Sequence, residues 1–132
     1  MARILIVEDE VNNVEILQRL LSRNGHDVVV ACSRDAAISV MTEEPAELVL
    51  MDIGIPDSDG GLHNDAGGLE ATRWIKSNPP TTSVPIIAVS ASAMLDERKR
   101  FLEAGCDDVQ SKPFDFTALL QSIDAQLTAP DG

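Results

Sequence analysis

The sequence predicts an α/β domain built on a five-stranded parallel sheet, doubly wound in the (βα)5 pattern with strand order 2-1-3-4-5. Three observations support this prediction. Short apolar runs alternate with helical segments five times along the 132 residues, which favours a parallel sheet with helices on both faces. The central runs are apolar without alternation, as in strands that are buried on both faces. Polar or acidic residues follow most of the runs, at the edge where open α/β sheets place their ligand crevice.

The first strand and helix are predicted from a change in the spacing of apolar residues along the chain. Residues 3–7 are a continuous apolar run that ends at the acidic residues Glu8 and Asp9. Residues 11–23 then carry leucines at helical spacing, and Gly25 provides a stop. The sequence therefore places acidic residues between a strand and the helix that follows it.

The second unit is a short β-branched strand over residues 27–32, followed by a helix over residues 34–43. Ser33 is a favourable N-cap for that helix. The third strand, residues 48–51, is uninterrupted and apolar, and it ends at Asp52. A single carboxylate directly after a buried parallel strand is placed at the carboxyl edge of the sheet.

The pattern is interrupted after the third strand. Residues 57–68 are rich in glycine and aspartate and have no period, so we predict a loop, which is long for an α/β connection. Residues 69–77 are predicted as a helix, and residues 86–89 as a fourth strand that leads to Ser90. Residues 94–104 form the fourth amphipathic helix.

The last unit begins with a short strand over residues 108–111, which leads into Lys112 and Pro113. Asp115 is placed to cap a final helix that runs to Leu127. The fifth strand therefore presents a cation at the same edge of the sheet as the carboxylates.

Composition excludes several classes of partner. The chain has 10 Lys and Arg against 22 Asp and Glu, a net charge of −12, which argues against nucleic acid or an anionic membrane. Aromatic residues make up only 3%, too few for a base-stacking platform. The chain shows neither a basic and apolar leader nor an apolar stretch of ~18 residues, so we expect one cytoplasmic domain.

The cysteines and histidines are interpreted as structural or solvated residues. Cys32 and Cys106 lack metal-ligand spacing, and we expect both to be small buried residues. Their strands lie at opposite edges of the predicted sheet, so they could not form a disulfide. Neither His26 nor His63 lies in the middle of a predicted helix, and we expect both to be solvated.

The strand order brings one group of polar side chains together. Strands 1 and 3 flank the crevice and end in Glu8, Asp9 and Asp52. Three converging carboxylates repel one another, and their hard oxygens suit Mg²⁺. A carboxylate beside such a metal can attack phosphorus and form an aspartyl phosphate. Lys112 and Ser90 would supply the cation and the hydrogen-bond donor that the transition state requires.

Six segments of the chain follow one another in a recognisable order. They are ILIVED (4–9), LMDIGIP (50–56), GLEATR (68–73), PIIAVSA (85–91), EAGCDD (103–108) and SKPF (111–114). Together they resemble the receiver domain of bacterial two-component response regulators. The resemblance covers nearly the whole chain and implies a flavodoxin-like receiver domain over residues 1–127, with a short tail at 128–132.

The resemblance also assigns roles. Asp52 would be the phosphoacceptor for a histidine kinase or phosphotransfer protein, while Ser90 and Lys112 would contact the phosphoryl group, the latter through a cis peptide bond to Pro113. The Mg²⁺ ligands would be oxygen atoms: Asp9, Asp52, the backbone carbonyl of Gly54, and Glu8 nearby, often through water.

The implied function is signalling by phosphorylation-dependent binding to a downstream protein. Because the chain ends within a few residues of the last helix, we expect a single-domain response regulator, monomeric or weakly dimeric, with no nucleic-acid or membrane partner. Such a domain is not an enzyme in the usual sense, since it assists only its own phosphorylation and dephosphorylation.

Two features depart from the family pattern. Val109 occupies the position, three residues before the lysine, at which the family often has an aromatic ring, so the switch mechanism is open. The loop over residues 60–68 is several residues longer than usual. We expect this loop to serve partner choice rather than chemistry.

Two alternative functions remain open. A Mg²⁺-dependent acyl-phosphate hydrolase could use the same residues, although the haloacid-dehalogenase type has a second aspartate where this chain has Gly54. A phosphorylation-independent binding module is the other alternative, although such a module would normally have lost Asp52 or Lys112.

Overall fold

Five parallel strands form the centre of the protein in the computed structural model, which describes residues 2–62, 66–91 and 94–128. The strands are β1 (Arg3–Val7), β2 (Asp27–Ala31), β3 (Leu48–Asp52), β4 (Ile86–Ser90) and β5 (Asp108–Ser111). Their order in the sheet is β2-β1-β3-β4-β5, and every pair of neighbours is parallel. The predicted doubly wound topology is therefore confirmed.

Helices cover both faces of the sheet. They are α1 (Val11–Arg23), α2 (Arg34–Glu43), α3 (Gly67–Ser77), α4 (Leu95–Ala104) and α5 (Phe116–Thr128). The longest have 13 residues, fewer than the ~20 that a bilayer requires, and within the described ranges no helix is long and apolar enough to cross a membrane.

Alternation along the buried strands divides the core into two layers. Ile4 and Ile6 face the layer formed with α1 and α5, whereas Leu5 and Val7 face the layer formed with α2, α3 and α4. Because successive side chains of a strand point to opposite faces, both faces of β1 and β3 must be apolar. Each fully buried aliphatic side chain stabilises the fold by about 1.5–3 kcal/mol.

Two predicted helix caps are present. The Ser33 hydroxyl accepts a hydrogen bond from the Ala36 amide at 3.1 Å, and the Asp115 carboxylate accepts one from the Ala118 amide at 3.0 Å. Both bonds satisfy amides that have no partner within the first turn of a helix. Local side-chain chemistry thus sets the starts of α2 and α5.

The first cysteine and the first histidine differ from their predicted environments. Cys106 is buried as expected, but Cys32 is exposed because β2 ends at the preceding residue. His26 is half-buried, and its Nδ1 accepts a hydrogen bond from the Ala2 amide at 3.2 Å, so the prediction that it is solvated is wrong. His63 lies outside the described residues.

The helix after the long loop begins earlier than predicted. Gly67 and Gly68 belong to α3 and are buried, so the loop that precedes the helix ends at residue 66. A Cβ atom on Gly67 would lie 2.3 Å from the Ile55 carbonyl oxygen. Two consecutive glycines allow the first turn of α3 to pack against the backbone that follows β3, a tertiary effect that local periodicity does not reveal.

Candidate functional site

The ends of four strands are level at one edge of the sheet. Met51 in β3 pairs with Val7, Asp52 pairs with Val89 in β4, and Ser90 pairs with Ser111 at the end of β5. Residues at or just after these strand ends line one open cleft of about 660 Å³. This register brings together side chains that are distant in the sequence.

All six predicted site residues line this cleft: Glu8, Asp9, Asp52, Gly54, Ser90 and Lys112. Seven further residues line it. Glu10, Ile53 and Ala91 are chain neighbours of predicted site residues, whereas Asn13 of α1 and Glu97, Arg100 and Phe101 of α4 are not. Asn13 could have been predicted to line the cleft, because it lies in the first turn of the helix that follows the acidic residues. The three residues of α4 could not, because the rotation of that helix depends on its packing.

Three carboxylates form the centre of the cleft. Glu8, Asp9 and Asp52 each present an oxygen atom, and these atoms lie within 4.8 Å of one another. Glu8 is only 2% exposed, so its charge is largely removed from water. Clustered carboxylate oxygens are the ligands that Mg²⁺ prefers, and the donor set therefore fits that ion.

Lys112 connects two of the carboxylates. Its Nζ donates a hydrogen bond to Glu8 Oε1 at 2.9 Å and lies 3.2 Å from Asp52 Oδ2. The Lys112 amide donates to the Ser90 carbonyl at 2.9 Å, and the bond to Pro113 is cis. The amide hydrogen bond thus holds the backbone of Lys112 beside the end of β4.

The carboxylates of Glu8 and Asp52 titrate differently. Burial, followed by the charge on Glu8, raises the pKa of Asp52 to about 6. Burial also opposes ionisation of Glu8, but hydrogen bonds with Asp52 and Lys112 and with the backbone hold the pKa of Glu8 below its usual value. The environment therefore favours a charged Glu8 and disfavours a charged Asp52 until further positive charge is supplied.

The backbone after β3 is held on two sides. The Ile53 amide donates to the Val89 carbonyl of β4 at 3.3 Å, and the Ile53 carbonyl accepts from the Gly68 amide of α3 at 3.2 Å. The Gly54 amide donates to Asp52 Oδ1 at 3.2 Å. These contacts fix the segment that carries both the carboxylate and the Gly54 carbonyl.

Comparison with known proteins identifies relatives of this fold and site. A family model of the response regulator receiver domain matches residues 4–124. The polar-differentiation response regulator DivK of Brucella ovis is 30% identical over 124 residues, which cover 94% of each chain.

Solved structures agree with this relationship. One is the receiver domain of a sensor histidine kinase from Pseudomonas aeruginosa PAO1, with a magnesium ion coordinated in its active site cleft; it is 28% identical, with a TM-score of 0.81 over 96% of this chain and 97% of that one. A second, the receiver domain of a signal transduction histidine kinase from Syntrophus aciditrophicus, has a TM-score of 0.84 over 99% and 93% of the two chains. At 24% identity, this second likeness concerns the fold alone.

Proposed function

The chain belongs to the response regulator receiver domain family, and from this we propose that Asp52 accepts a phosphoryl group from a histidine kinase or a phosphotransfer protein. We further propose that the phosphorylated domain signals by binding a downstream protein. The observation that carries the proposal is the position of Lys112, whose Nζ lies between Glu8 Oε1 at 2.9 Å and Asp52 Oδ2 at 3.2 Å.

The residues around Asp52 suit phosphoryl transfer. A carboxylate oxygen of Asp52 would attack phosphorus, forming an acyl phosphate bond while the bond from phosphorus to the donor nitrogen breaks and leaves histidine. Charge spread over the phosphoryl oxygens would be stabilised by the Lys112 ammonium and by a hydrogen bond from the Ser90 hydroxyl. Both side chains line the same cleft as Asp52.

The acidic cluster supports a role for Mg²⁺ in this reaction. Asp9, Asp52 and the Gly54 carbonyl would hold the ion directly, and Glu8 would act close by. When bound, the ion supplies positive charge that neutralises the phosphoryl oxygens. The magnesium ion in the cleft of the Pseudomonas aeruginosa relative supports this assignment.

The kind of partner follows from the reaction. A phosphohistidine must reach Asp52, so the donor protein has to dock over the cleft at the carboxyl edge of the sheet. Phosphorylation then adds negative charge next to Ser90 and Lys112, at the ends of β4 and β5. We propose that a downstream protein recognises the surface changed by this charge, and that the domain assists only its own phosphorylation and dephosphorylation.

Label transfer tests the proposal. The protein is mixed with Mg²⁺ and a histidine kinase that carries labelled phosphohistidine, and the label on the wild type is compared with that on Asp52→Asn. We expect label on the wild type only, and none when EDTA is present. Equal labelling of the two proteins would contradict the assignment of Asp52, and steady release of phosphate from a small aryl phosphate would favour the hydrolase instead.

A further inference from the structure

Four nitrogen atoms donate hydrogen bonds to the buried carboxylate of Glu8, two to each oxygen. Oε2 accepts hydrogen bonds from the backbone amides of Asp9 and Glu10, each at 3.1 Å. Oε1 accepts from Lys112 Nζ at 2.9 Å and from Asn13 Nδ2 at 3.1 Å. The Glu8 side chain is therefore fixed at both oxygens, and the Asn13 amide shares one oxygen with the lysine.

The location of Asn13 makes this contact specific. Asn13 is the third residue of α1, and that helix begins at Val11 without a side-chain cap from Glu10. The Asn13 side chain thus reaches back across the helix start to a buried carboxylate and lines the cleft itself. Its neighbour Asn12 lies in the same turn but is exposed.

We propose that Asn13 is a positioning residue of the phosphoryl-transfer site. Its amide orients the Glu8 carboxylate, and the oriented carboxylate holds Lys112 beside Asp52. The inference rests on the proposed function, because it assigns Asn13 a part in the same reaction.

Glu8 Oε1 can accept only a limited number of hydrogen bonds. Two donors on Oε1 occupy its lone pairs, so Glu8 cannot readily turn that oxygen towards a cation in the cleft. Without the Asn13 amide, Oε1 loses one of its two nitrogen donors and can accept a cation in the cleft, while Oε2 stays held by the two backbone amides. An additional carboxylate ligand favours Ca²⁺, which takes six to eight oxygen ligands in flexible geometry, over Mg²⁺, which requires a near-ideal octahedron.

Loss of Asn13 would also affect Lys112. Once Oε1 can shift towards a cation, its hydrogen bond with the Lys112 ammonium group weakens, and the lysine is held less firmly beside Asp52. Groups that orient the residues of a metal site typically change affinity or activity by about 10–100-fold when they are removed. The phosphorylation rate should therefore fall, even when the cation is saturating.

The experiment compares the wild type with Asn13→Ala, Asn13→Gln, Asn13→Asp and the matched control Asn12→Ala. Calorimetric titration with Mg²⁺ and with Ca²⁺ gives the ratio of the two affinities without any phosphoryl donor. The rate of phosphorylation by acetyl phosphate at saturating Mg²⁺ is measured separately, and circular dichroism confirms that each variant is folded.

For Asn13→Ala we expect the ratio of Ca²⁺ to Mg²⁺ affinity to rise above that of the wild type, because Ca²⁺ accommodates an extra carboxylate ligand more readily. We expect the phosphorylation rate to fall about tenfold. Asn13→Gln keeps an amide donor and should recover most of both values, and Asn12→Ala should match the wild type. Asn13→Asp has nearly the same shape but places a like charge beside Glu8, so its phosphorylation rate should also fall. This variant replaces Asn13→Ala in the test if Asn13→Ala does not fold.

Two results would overturn the proposal. One is that Asn13→Ala behaves like Asn12→Ala in either measurement, since the inference requires both the cation preference and the rate to change. The other is that Asn13→Gln is as impaired as Asn13→Ala, which would indicate that the shape of the side chain matters rather than its donor. If the wild type itself accepts no phosphate, the proposed function fails, while the cation preference still tests the orientation of Glu8.

Discussion

Gly68 packs directly against the backbone of Asp52. A Cβ atom on Gly68 would lie 2.6 Å from the Asp52 carbonyl oxygen and 2.6 Å from the Ile53 Cα atom, closer than real side chains approach. The first turn of α3 therefore supports the backbone that carries the Asp52 carboxylate. The long loop before α3 does not separate that helix from the site.

We predict that Gly68→Ala destabilises the protein by about 1–3 kcal/mol, the usual cost of forcing an extra methyl group into a packed region. Gly54→Ala is the matched control for stability, because a Cβ atom at that position would have no neighbour within 4 Å. Urea unfolding of both variants measures the difference. Equal stability of the two variants would show that the backbone beside Gly68 can shift at little cost.

Replacing Asp52 with asparagine should stabilise the protein when Mg²⁺ is absent. The raised pKa of Asp52, about 6 in the folded protein against 3.8 ordinarily, means that folding favours the protonated carboxyl group. Its contribution to stability is fully present below about pH 4 and is lost as the pH rises through about 6. Asp52→Asn avoids this loss, so at pH 7.5 the free energy of unfolding should rise by about 1–3 kcal/mol.

Urea unfolding across this pH range tests the sign of the effect. The difference between Asp52→Asn and the wild type should vanish near pH 4 and shrink again when Mg²⁺ is added at neutral pH. The exposed Asp124 in α5 gives a control, Asp124→Asn, whose stability should follow that of the wild type. A lower stability of Asp52→Asn at pH 7.5 without Mg²⁺ would contradict the electrostatic account.

Substitutions of Asp9 and Lys112 should have different effects, the first mainly on Mg²⁺ binding and the second mainly on stabilisation of the phosphoryl group. Asp9→Asn removes a hard, charged ligand and should weaken Mg²⁺ binding sharply, by about tenfold or more. Lys112→Arg should leave Mg²⁺ binding less affected but impair the response to phosphorylation, because a planar guanidinium does not replace a compact ammonium. Magnesium titration of the two variants checks this division, and equal losses of affinity would argue against it.

Ser33 should anchor the loop that follows Asp52. Its hydroxyl accepts a hydrogen bond from the Ala36 amide at 3.1 Å and donates one to Asp59 Oδ1 at 2.6 Å. We expect Ser33→Ala to lower stability by about 1–2 kcal/mol and to speed hydrogen exchange in residues 57–59. Ser33→Thr keeps both bonds, and Ser39→Ala in the exposed part of α2 is the control. Unchanged exchange in Ser33→Ala would show that the loop is held by other contacts.

The sequence predicted that the side chains of Glu8, Asp9 and Asp52 would come together, because the end of each strand could be recognised separately. The apolar run before Asp52 and the run before Glu8 and Asp9 each indicated a buried parallel strand, and strand order then placed the acidic residues together. The caps by Ser33 and Asp115 were likewise predictable, since they depend on residues three positions apart.

Features that depend on tertiary packing were not predictable. The early start of α3 at Gly67 depends on contact with Ile55, and the exposure of Cys32 depends on where pairing with β1 ends. The contact between Asn13 and Glu8 depends on the angle at which α1 leaves the sheet, which the sequence pattern does not give. Val109 is buried in β5, at the position where the family often has an aromatic side chain. The sequence did not predict how a domain with this smaller side chain responds to phosphorylation.

Locating the phosphoryl group on the chain tests the proposed role of Asp52 most directly. The protein is incubated with acetyl phosphate and Mg²⁺, the acyl phosphate is trapped by reduction with borohydride, and peptide mass spectrometry identifies the residue that has become homoserine. We expect conversion of Asp52 alone. This conversion should require Mg²⁺, and it should be abolished or strongly slowed in Lys112→Ala. Conversion of Asp9 or another carboxylate while Asp52 stays unmodified would contradict the proposed role of Asp52.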